Sequence, residues 1–225
     1  MTGTTNYPIA EIFTSVQGEG QWTGTRMTFV RLAGCTVGKP YGKLDKPNGL
    51  EIYQEKCTLW DGREFPCDTN YKKTATMTVE QILNEVGDEV RVCITGGEPL
   101  MHDLLPLLTA LHKARKMIHL ETSGTISLEP VRSDVDWITV SPKQGVLQSS
   151  LMIADEVKFL IDERFQKEVF EQEMKGLLVR GRIWFQPVNG LHEIDDHNLK
   201  LCQDLQATYK SARISVQMHK WLKVR

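Results

Sequence analysis

The sequence has few features of a secreted, membrane-bound or nucleic-acid-binding protein. Its 225 residues include 27 Lys and Arg against 29 Asp and Glu, and a net charge of −2 provides no broad basic field for nucleic acid. No uninterrupted apolar run approaches the ~20 residues that span a bilayer. The N-terminal segment MTGTTNYPIAEIF lacks the charged start and apolar centre of a secretory signal. These absences predict a cytoplasmic protein without membrane or nucleic-acid partners.

Cysteine is scarce, and its count of five is odd, which argues against a disulfide framework. In the reducing cytosol, metal binding or catalysis remain as functional options. Cys35 ends an apolar run, whereas Cys57 and Cys67 lie in the stretch EKCTLWDGREFPCDTN. The intervals of 21 and 9 residues between these three cysteines match no short metal-binding signature. Cys93 falls in a predicted buried strand and Cys202 in a predicted helix, so both are expected in the core.

Much of the chain alternates predicted strands and helices. MTFVRL and VRVCIT read as strands, and TVEQILNEVG reads as a helix with a capping box from Thr78 to Gln81. Further strands are predicted in MIHLETSG, VDWITVSP, DEVKFLID, RIWFQPV and the terminal ISVQMHKWL. This alternation predicts parallel strands with crossover helices, in an open α/β sheet or a barrel. No repeat or linker divides the chain, so a single domain over residues 1–225 is expected.

The interval 36–74 breaks this alternation. It is long, rich in Lys, Gly and Pro, and contains two of the three cysteines discussed above. Loops of this length in compact domains are usually functional or disordered. We therefore predict that residues 36–74 form a loop that contributes to a functional site.

Polar or glycine residues follow four of the predicted strands. They are Gly96, Gly97 and Glu98, then Glu121 and Ser123, then Ser141 and Lys143, and finally Gln186. Any one of them could simply cap a helix or stand in a solvated turn. Because the carboxyl ends of parallel strands meet on one face, the four groups together predict an active site there.

Seven segments of the chain carry a family resemblance. They are YPIAEIFTSVQGEGQWTGTRMTFVRLAGC, CDTNY, ITGGEP, HDLLPL, LETSGT, WITVSPK and QMHKWL. Together they resemble the 7-carboxy-7-deazaguanine synthase family of radical S-adenosylmethionine enzymes over nearly the whole chain. The QGEG block and the RLAGC…CDT frame are the more specific parts, whereas GGEP is shared more widely. The resemblance implies an α/β fold, an incomplete TIM-like barrel in which 36–74 is an inserted cluster-binding loop.

The resemblance also implies a reaction, the conversion of 6-carboxy-5,6,7,8-tetrahydropterin to 7-carboxy-7-deazaguanine in deazapurine (queuosine-type) biosynthesis. A reduced [4Fe–4S] cluster would cleave S-adenosylmethionine to a 5′-deoxyadenosyl radical, which takes hydrogen from the substrate carbon bearing the carboxylate. The ring then contracts with loss of ammonia. The cofactors supply the radical chemistry, and no protein acid or base is assigned. A flavodoxin- or ferredoxin-like electron donor and a homodimer are implied as partners.

By the same resemblance, Cys35, Cys57 and Cys67 would bind the cluster, with Cys57 as the middle ligand by position. Insertions lengthen both intervals beyond the family's short spacing. Three thiolates can nevertheless hold three irons if the chain makes them converge. Loop closure costs only ~0.6 kcal/mol more per doubling of loop length. Pro66 stands where the family has an aromatic residue before the last cysteine, and Phe65 lies one position earlier.

The resemblance assigns the remaining site residues by ligand. S-adenosylmethionine would contact Gly96, Gly97, Glu98, Glu121, Ser123, Ser141, Lys143 and Gln186. The pterin would contact Val16, Gln17, Gly18, Arg31 and Thr95, since the planar fork of an arginine matches a carboxylate. Mg²⁺, a hard cation that prefers oxygen ligands, would bind at Thr69.

Two other classes of protein stay open from the sequence. A glycyl-radical activating enzyme would share GGEP and the cluster but would need a surface for its protein partner. A non-catalytic zinc-binding protein would need a fourth ligand for its three thiols, which His102 or His112 could provide through the fold.

Overall fold

A computed structural model of the protein describes residues 5–45, 51–67, 69–178, 182–189 and 195–224. Its strands are β1 (Asn6–Val16), β2 (Arg26–Leu32), β3 (Lys39–Asp45), β4 (Glu51–Thr58), β5 (Glu64–Pro66), β6 (Ala75–Thr78), β7 (Arg91–Gly96), β8 (Met117–Thr122), β9 (Trp137–Val140), β10 (Glu156–Ile161), β11 (Ile183–Pro187) and β12 (Arg213–Ile214). Its α-helices are α1 (Val79–Val86), α2 (Leu105–Lys113), α3 (Gln148–Ile153), α4 (Lys167–Leu178), α5 (Asp196–Thr208) and α6 (Met218–Leu222). Within these ranges, none of the helices combines the length and apolar character needed to cross a bilayer.

The main sheet has nine strands in the order β12-β11-β10-β9-β8-β7-β2-β1-β6. Strands β2 and β7 to β12 are parallel, and each pairs with its neighbour in chain order. Strands β1 and β6 extend the β2 edge in antiparallel pairing, an addition that the sequence patterns did not indicate. The large parallel sheet confirms the predicted α/β class, and its sequential strand order is that of a partial barrel. The single-domain organisation stays a prediction.

The interval 36–74 differs from the expected loop, because β3, β4 and β5 pair there as a separate three-stranded antiparallel sheet. A tight turn joins β4 to β5, in which the Leu59 N–H donates to the Arg63 carbonyl at 2.8 Å. Gly62 in this turn has φ +84°, a conformation that few other residues adopt. The high Lys, Gly and Pro content of the interval is typical of loops, and for this reason the sequence did not indicate that β4 and β5 pair across this turn.

Helix starts follow the local sequence signals. At α1 the Gln81 N–H donates to Thr78 Oγ1 at 3.2 Å, and the Thr78 N–H donates to Gln81 Oε1 at 2.8 Å. The predicted capping box is therefore confirmed. Pro106 lies in the first turn of α2, where its missing N–H leaves no hydrogen bond unmade.

The C-terminal segment differs from the predicted strand over ISVQMHKWL. Strand β12 has only two residues, and Met218–Leu222 form helix α6 instead. After β12 the Ser215 N–H still donates to the Phe185 carbonyl at 2.9 Å, but the Met218 N–H donates to the Gly18 carbonyl, also at 2.9 Å. The chain leaves the sheet after β12 because it turns to meet the loop 17–25. The Met218–Gly18 hydrogen bond joins the segment after β12 to the loop after β1.

The core lies between the parallel sheet and its helices. Phe159, Phe170 and Phe185 are almost completely buried. The ring centroid of Phe170 lies 5.1 Å from that of Phe159 and 5.7 Å from that of Phe185. Trp60, from the turn between β4 and β5, packs against the same group at 5.7 Å from Phe159. Burying one such side chain stabilises a fold by roughly 1.5–3 kcal/mol. Because Trp60 belongs to the β4–β5 turn, its packing in this cluster also attaches the small sheet to the barrel.

We expect Phe170→Ala to lower the free energy of unfolding by about 3–5 kcal/mol, because it leaves a cavity among several aromatic rings. Gln172, exposed on the same helix, is the matched control, and Gln172→Ala should change stability by less than about 0.5 kcal/mol. Urea unfolding of both variants, followed by circular dichroism, measures the difference. Equal midpoints for the two variants would contradict the central place of Phe170 in the core.

Candidate active site

A cavity of about 540 Å³ opens at the carboxyl ends of the parallel strands. Its wall is formed by strand-end residues, the loop 17–25, the β4–β5 hairpin, and residues 67 and 69–71. A volume of this size is typical of sites for small molecules and cofactors.

Every predicted site residue except Glu98 lines this cavity. The residues are Val16, Gln17, Gly18, Arg31, Cys35, Cys57, Cys67, Thr69, Thr95, Gly96, Gly97, Glu121, Ser123, Ser141, Lys143 and Gln186. The fold thus brings together residues that are as far apart in sequence as Val16 and Gln186. The ligand that each of them binds stays a prediction.

The three cysteines in question reach the cavity from different elements. Cys35 follows β2, Cys57 lies in β4, and Cys67 follows β5; all three are half-buried, and none of them forms a disulfide. The Cys35 sulfur accepts the N–H of Val37 at 3.4 Å and of Gly38 at 3.2 Å. Backbone donors of this kind stabilise a thiolate, the form that binds iron.

The described residues contain no group of three His, Cys, Asp or Glu side chains arranged to hold a single metal ion. Two histidines considered as a fourth zinc ligand are engaged elsewhere. His102 Nε2 lies 2.9 Å from the Ala33 carbonyl oxygen, and His112 Nε2 lies 3.0 Å from that of Asp134. Three thiols on one cavity wall could each hold one iron of an iron–sulfur cluster.

The Gly96–Gly97 pair allows β7 to end against the Cys35 segment. A Cβ at Gly97 would lie 2.2 Å from the Gly34 carbonyl oxygen and 2.5 Å from the Cys35 Cβ. At Gly96 it would lie 2.4 Å from the Leu32 carbonyl oxygen. No side chain fits at these distances, so both glycines are required for the close approach of the two backbones.

Glu98 differs from its predicted role at the S-adenosylmethionine ammonium group. Its side chain is buried, and the carboxylate accepts the Thr122 hydroxyl at 2.8 Å, the Ser123 N–H at 2.9 Å and the Leu100 N–H at 3.0 Å. The Ser123 hydroxyl donates to it as well. With these partners, the carboxylate joins the ends of β7 and β8 behind the cavity wall and does not face the cavity.

Glu121 connects residues that the sequence assigned to different ligands. Its carboxylate accepts the Gln17 amide at 2.9 Å and the Thr95 hydroxyl at 3.0 Å. The Gln17 side-chain oxygen in turn accepts the Glu19 N–H at 3.1 Å. These contacts orient Gln17, Thr95 and Glu121 as one hydrogen-bonded row on the cavity wall.

The sequence analysis missed an ion pair between Glu19 and Lys158, whose side chains are 17% and 10% exposed. The Glu19 carboxylate also accepts the side-chain amides of Gln186 at 3.0 Å and Gln217 at 2.9 Å. Burial disfavours the carboxylate, but the Lys158 charge and the hydrogen bonds from Lys158 and Gln217 together outweigh burial and lower the pKa of Glu19 to about 2. Likewise, burial disfavours the ammonium group, yet the Glu19 carboxylate raises the pKa of Lys158. A lone lysine within the apolar strand DEVKFLID was the sequence signal for this pair.

Arg31 and Lys143 have protein partners at the cavity wall. Arg31 Nε donates to Glu11 Oε1 at 2.8 Å across the β1–β2 pairing, and its guanidinium lies 5.9 Å from the Phe13 ring centroid. Lys143 Nζ donates to the Ser141 hydroxyl at 2.8 Å. Both cationic groups are therefore held in place on the wall.

His219 is a further lining residue that sequence reasoning left without a role, although it belongs to the QMHKWL segment. A Cβ at Gly18 would lie 1.9 Å from His219 Nδ1. The second residue of the QGEG block thus has to be glycine for the C-terminal segment to close over the cavity.

Comparison with known proteins gives a consistent relationship, although no protein-family model matches the chain. The chain is 34% identical to a 7-carboxy-7-deazaguanine synthase of Synechocystis, over 99% of this chain and 95% of that protein. The synthase of Bacteroides thetaiotaomicron is 32% identical over 96% of this chain and 98% of its own length.

The fold agrees with this relationship. The crystal structure of QueE from Escherichia coli superposes with a TM-score of 0.67 at 30% identity, covering 95% of each chain. At this identity and coverage, the chain belongs to the 7-carboxy-7-deazaguanine synthase family.

Proposed function

We propose that this protein converts 6-carboxy-5,6,7,8-tetrahydropterin to 7-carboxy-7-deazaguanine, with loss of ammonia, as a step in deazapurine biosynthesis. The observation that supports this function is that one cavity collects three thiols outside any disulfide together with the polar strand ends. It occurs in a chain that is related to 7-carboxy-7-deazaguanine synthases over nearly its full length.

The cofactor end of the cavity is proposed to include Cys35, Cys57 and Cys67, which would hold a [4Fe–4S] cluster. When bound, the cluster and S-adenosylmethionine supply the radical that starts the reaction. The protein contributes three thiolates and the N–H donors at Cys35. The Gly96–Gly97 backbone packs directly against the Cys35 segment and so fixes the position of that thiol.

The polar groups of S-adenosylmethionine are proposed to contact Glu121, Ser123, Ser141, Lys143 and Gln186 at the strand ends. All five line the cavity. Hydroxyl, amide and ammonium groups among them can bond to the carboxylate and ribose of the cofactor.

An apolar part of the same wall suits the adenine ring. Leu59, Phe65 and Leu160 line the cavity together. The Phe65 ring lies 4.6 Å from the Arg164 guanidinium, which fixes its orientation. We propose that this surface replaces the aromatic residue that the family has at the position of Pro66.

The pterin is proposed to lie against the row formed by Gln17, Thr95 and Glu121, with Val16 and Gly18 adding backbone groups. Donors and acceptors in a fixed row match the hydrogen-bonding edge of a flat ring. Arg31, which Glu11 holds in place, would bind the substrate carboxylate. Mg²⁺ would take the Thr69 hydroxyl together with retained water.

Neither alternative class is supported. The curated relatives are synthases and not activating enzymes, and the described residues contain no three-ligand site for a single ion such as zinc. A flavodoxin- or ferredoxin-like electron donor, a homodimer and a cytoplasmic location remain part of the proposal on the strength of the family resemblance.

Incubation of the reconstituted, reduced protein with the pterin and S-adenosylmethionine should yield 7-carboxy-7-deazaguanine, measured by mass spectrometry, and an equal amount of ammonia. The Cys35→Ala variant is the control and should form neither product. Cleavage of the cofactor without any change in the pterin would contradict the proposed substrate.

Replacing Cys35, Cys57 or Cys67 by Ala should each prevent cluster assembly, because every iron held by the protein needs its own thiolate. Bound iron and sulfide per chain after anaerobic reconstitution measure the effect. Cys93→Ala and Cys202→Ala are controls for cluster assembly, since both thiols are buried and neither lines the cavity, so both variants should take up iron and sulfide like the wild type. If Cys57→Ala kept a full cluster, the middle ligand would be a different residue.

Arg31→Ala should weaken pterin binding by roughly 10- to 100-fold, the value of one lost charge-assisted hydrogen-bond pair. Formation of 5′-deoxyadenosine without pterin should stay near wild type, because Arg31 does not contact the cofactor in this proposal. Arg26→Ala is the matched control, since Arg26 lies on the same strand with its side chain 69% exposed. Equal loss of pterin binding and of cofactor cleavage in Arg31→Ala would point to a structural role.

A further inference from the structure

The β4–β5 hairpin contains Cys57 and immediately precedes Cys67, yet it belongs to a sheet separate from the barrel. In the described residues its backbone meets the barrel mainly at one place. Leu59 forms an isolated bridge with Lys143, and the Gln144 N–H donates to the Thr58 carbonyl at 3.0 Å. The position of both thiols therefore depends on how this turn is fixed to the barrel rim.

Arg63 adds a side-chain attachment at the same place, because it is a buried cation that bonds to both partners at once. Within the hairpin, Nε donates to Asp61 Oδ2 at 2.7 Å. Toward the barrel, Nη1 donates to Asp162 Oδ1 at 2.6 Å and Nη2 to the Leu160 carbonyl at 2.8 Å. The side chain of Arg63 is only 5% exposed, and those of Asp61 and Asp162 are 0% and 5% exposed.

The buried charges of Arg63, Asp61 and Asp162 stabilise one another. Three separate bonds to one guanidinium fix its plane and its position, which a lysine cannot reproduce. Burial disfavours the Asp162 carboxylate, but hydrogen bonds from Arg164 and Arg63 lower its pKa. Removing one member of such a buried pair leaves the other without compensation, so the pair resists opening.

The register of the hairpin links Arg63 to both cysteines. Arg63 directly precedes β5, whose Phe65 pairs with Cys57 and whose last residue is followed by Cys67. The Arg63 guanidinium also lies 5.7 Å from the Phe65 ring centroid. A shift of Arg63 would thus move the two thiols together relative to Cys35, which is attached to the main sheet.

We propose that Arg63, through its ion pair with Asp162, is a positioning residue that holds Cys57 and Cys67 where they can share a cluster with Cys35. The inference rests on the proposed cluster site. Arg63, which lies between Cys57 and Cys67, would take the place of the tight loop of a short cysteine spacing, because it fixes the inserted hairpin to the barrel.

The test compares Arg63→Met with Arg132→Met in the full-length chain. Arg132 is a matched control, because it also pairs with an aspartate next to β10, Asp155 at 3.2 Å, and bonds to the Val135 carbonyl at 2.9 Å. After anaerobic reconstitution, the rate of iron loss to a chelator and amide hydrogen exchange of the apoprotein are measured. We expect Arg63→Met to lose iron at least about tenfold faster, with faster exchange in 56–66 but not in β8, whereas Arg132→Met behaves like the wild type.

Two further variants keep the test decisive if Arg63→Met does not fold. Asp162→Asn preserves the shape of the partner, and Arg63→Lys preserves the charge, so both should give intermediate rates of iron loss. Wild-type rates of iron loss and of exchange in the folded variants would overturn the positioning role alone. A wild-type chain that takes up no iron and sulfide would instead overturn the proposed function.

Discussion

The Glu19 carboxylate is the contact on which the shape of the cavity depends. It joins the loop 17–25 to β10 through Lys158, to β11 through Gln186 and to the C-terminal segment through Gln217. The nine-stranded sheet does not close on itself, since β12 and β6 are its edge strands, and this contact joins the loop after β1 to the strands at the β12 end. A charged pair is expensive to bury unless its hydrogen-bonding groups are satisfied, and here several partners satisfy them. The QGEG block is thus a structural closure as well as a candidate binding surface.

Two sets of close backbone contacts build the wall around that closure. Gly96 and Gly97 bring the end of β7 against the Cys35 segment, and Gly18 admits His219. Glu98 then ties β7 to β8 behind the wall. The site is rigid because Gly96 and Gly97 allow two backbone segments to touch. In addition, the buried Glu98 carboxylate accepts hydrogen bonds from donors at the end of β8. Flexible cavity residues would lose conformational entropy on binding, and these contacts remove much of that loss before any ligand arrives.

The sequence predicted the α/β class, the parallel strands and the cavity residues, because strand ends of a parallel sheet converge whatever the loops contain. It failed where tertiary contacts override local pattern. The terminal ISVQMHKWL has strand-like composition, but Met218 bonds to Gly18 and the segment turns into a helix. Glu98 was expected to contact S-adenosylmethionine because of its position after β7. Its carboxylate accepts hydrogen bonds from Thr122 and Ser123, which are distant in sequence. The Glu19–Lys158 pair spans 139 residues, so the lysine within an apolar strand was visible in the sequence but its partner was not.

The fixed position of the turn between β4 and β5 makes the cysteine intervals a poor criterion for recognising such proteins from sequence. Because the hairpin is fixed to the barrel rim at 59–63, the number of residues between Cys35 and Cys57 need not influence where the two sulfurs lie. Evolution can lengthen or shorten that stretch at little cost in loop entropy. A search pattern that demands fixed cysteine intervals would overlook chains of this kind. A pattern built on the glycine pair, the QGEG block and the anchoring arginine would recognise them.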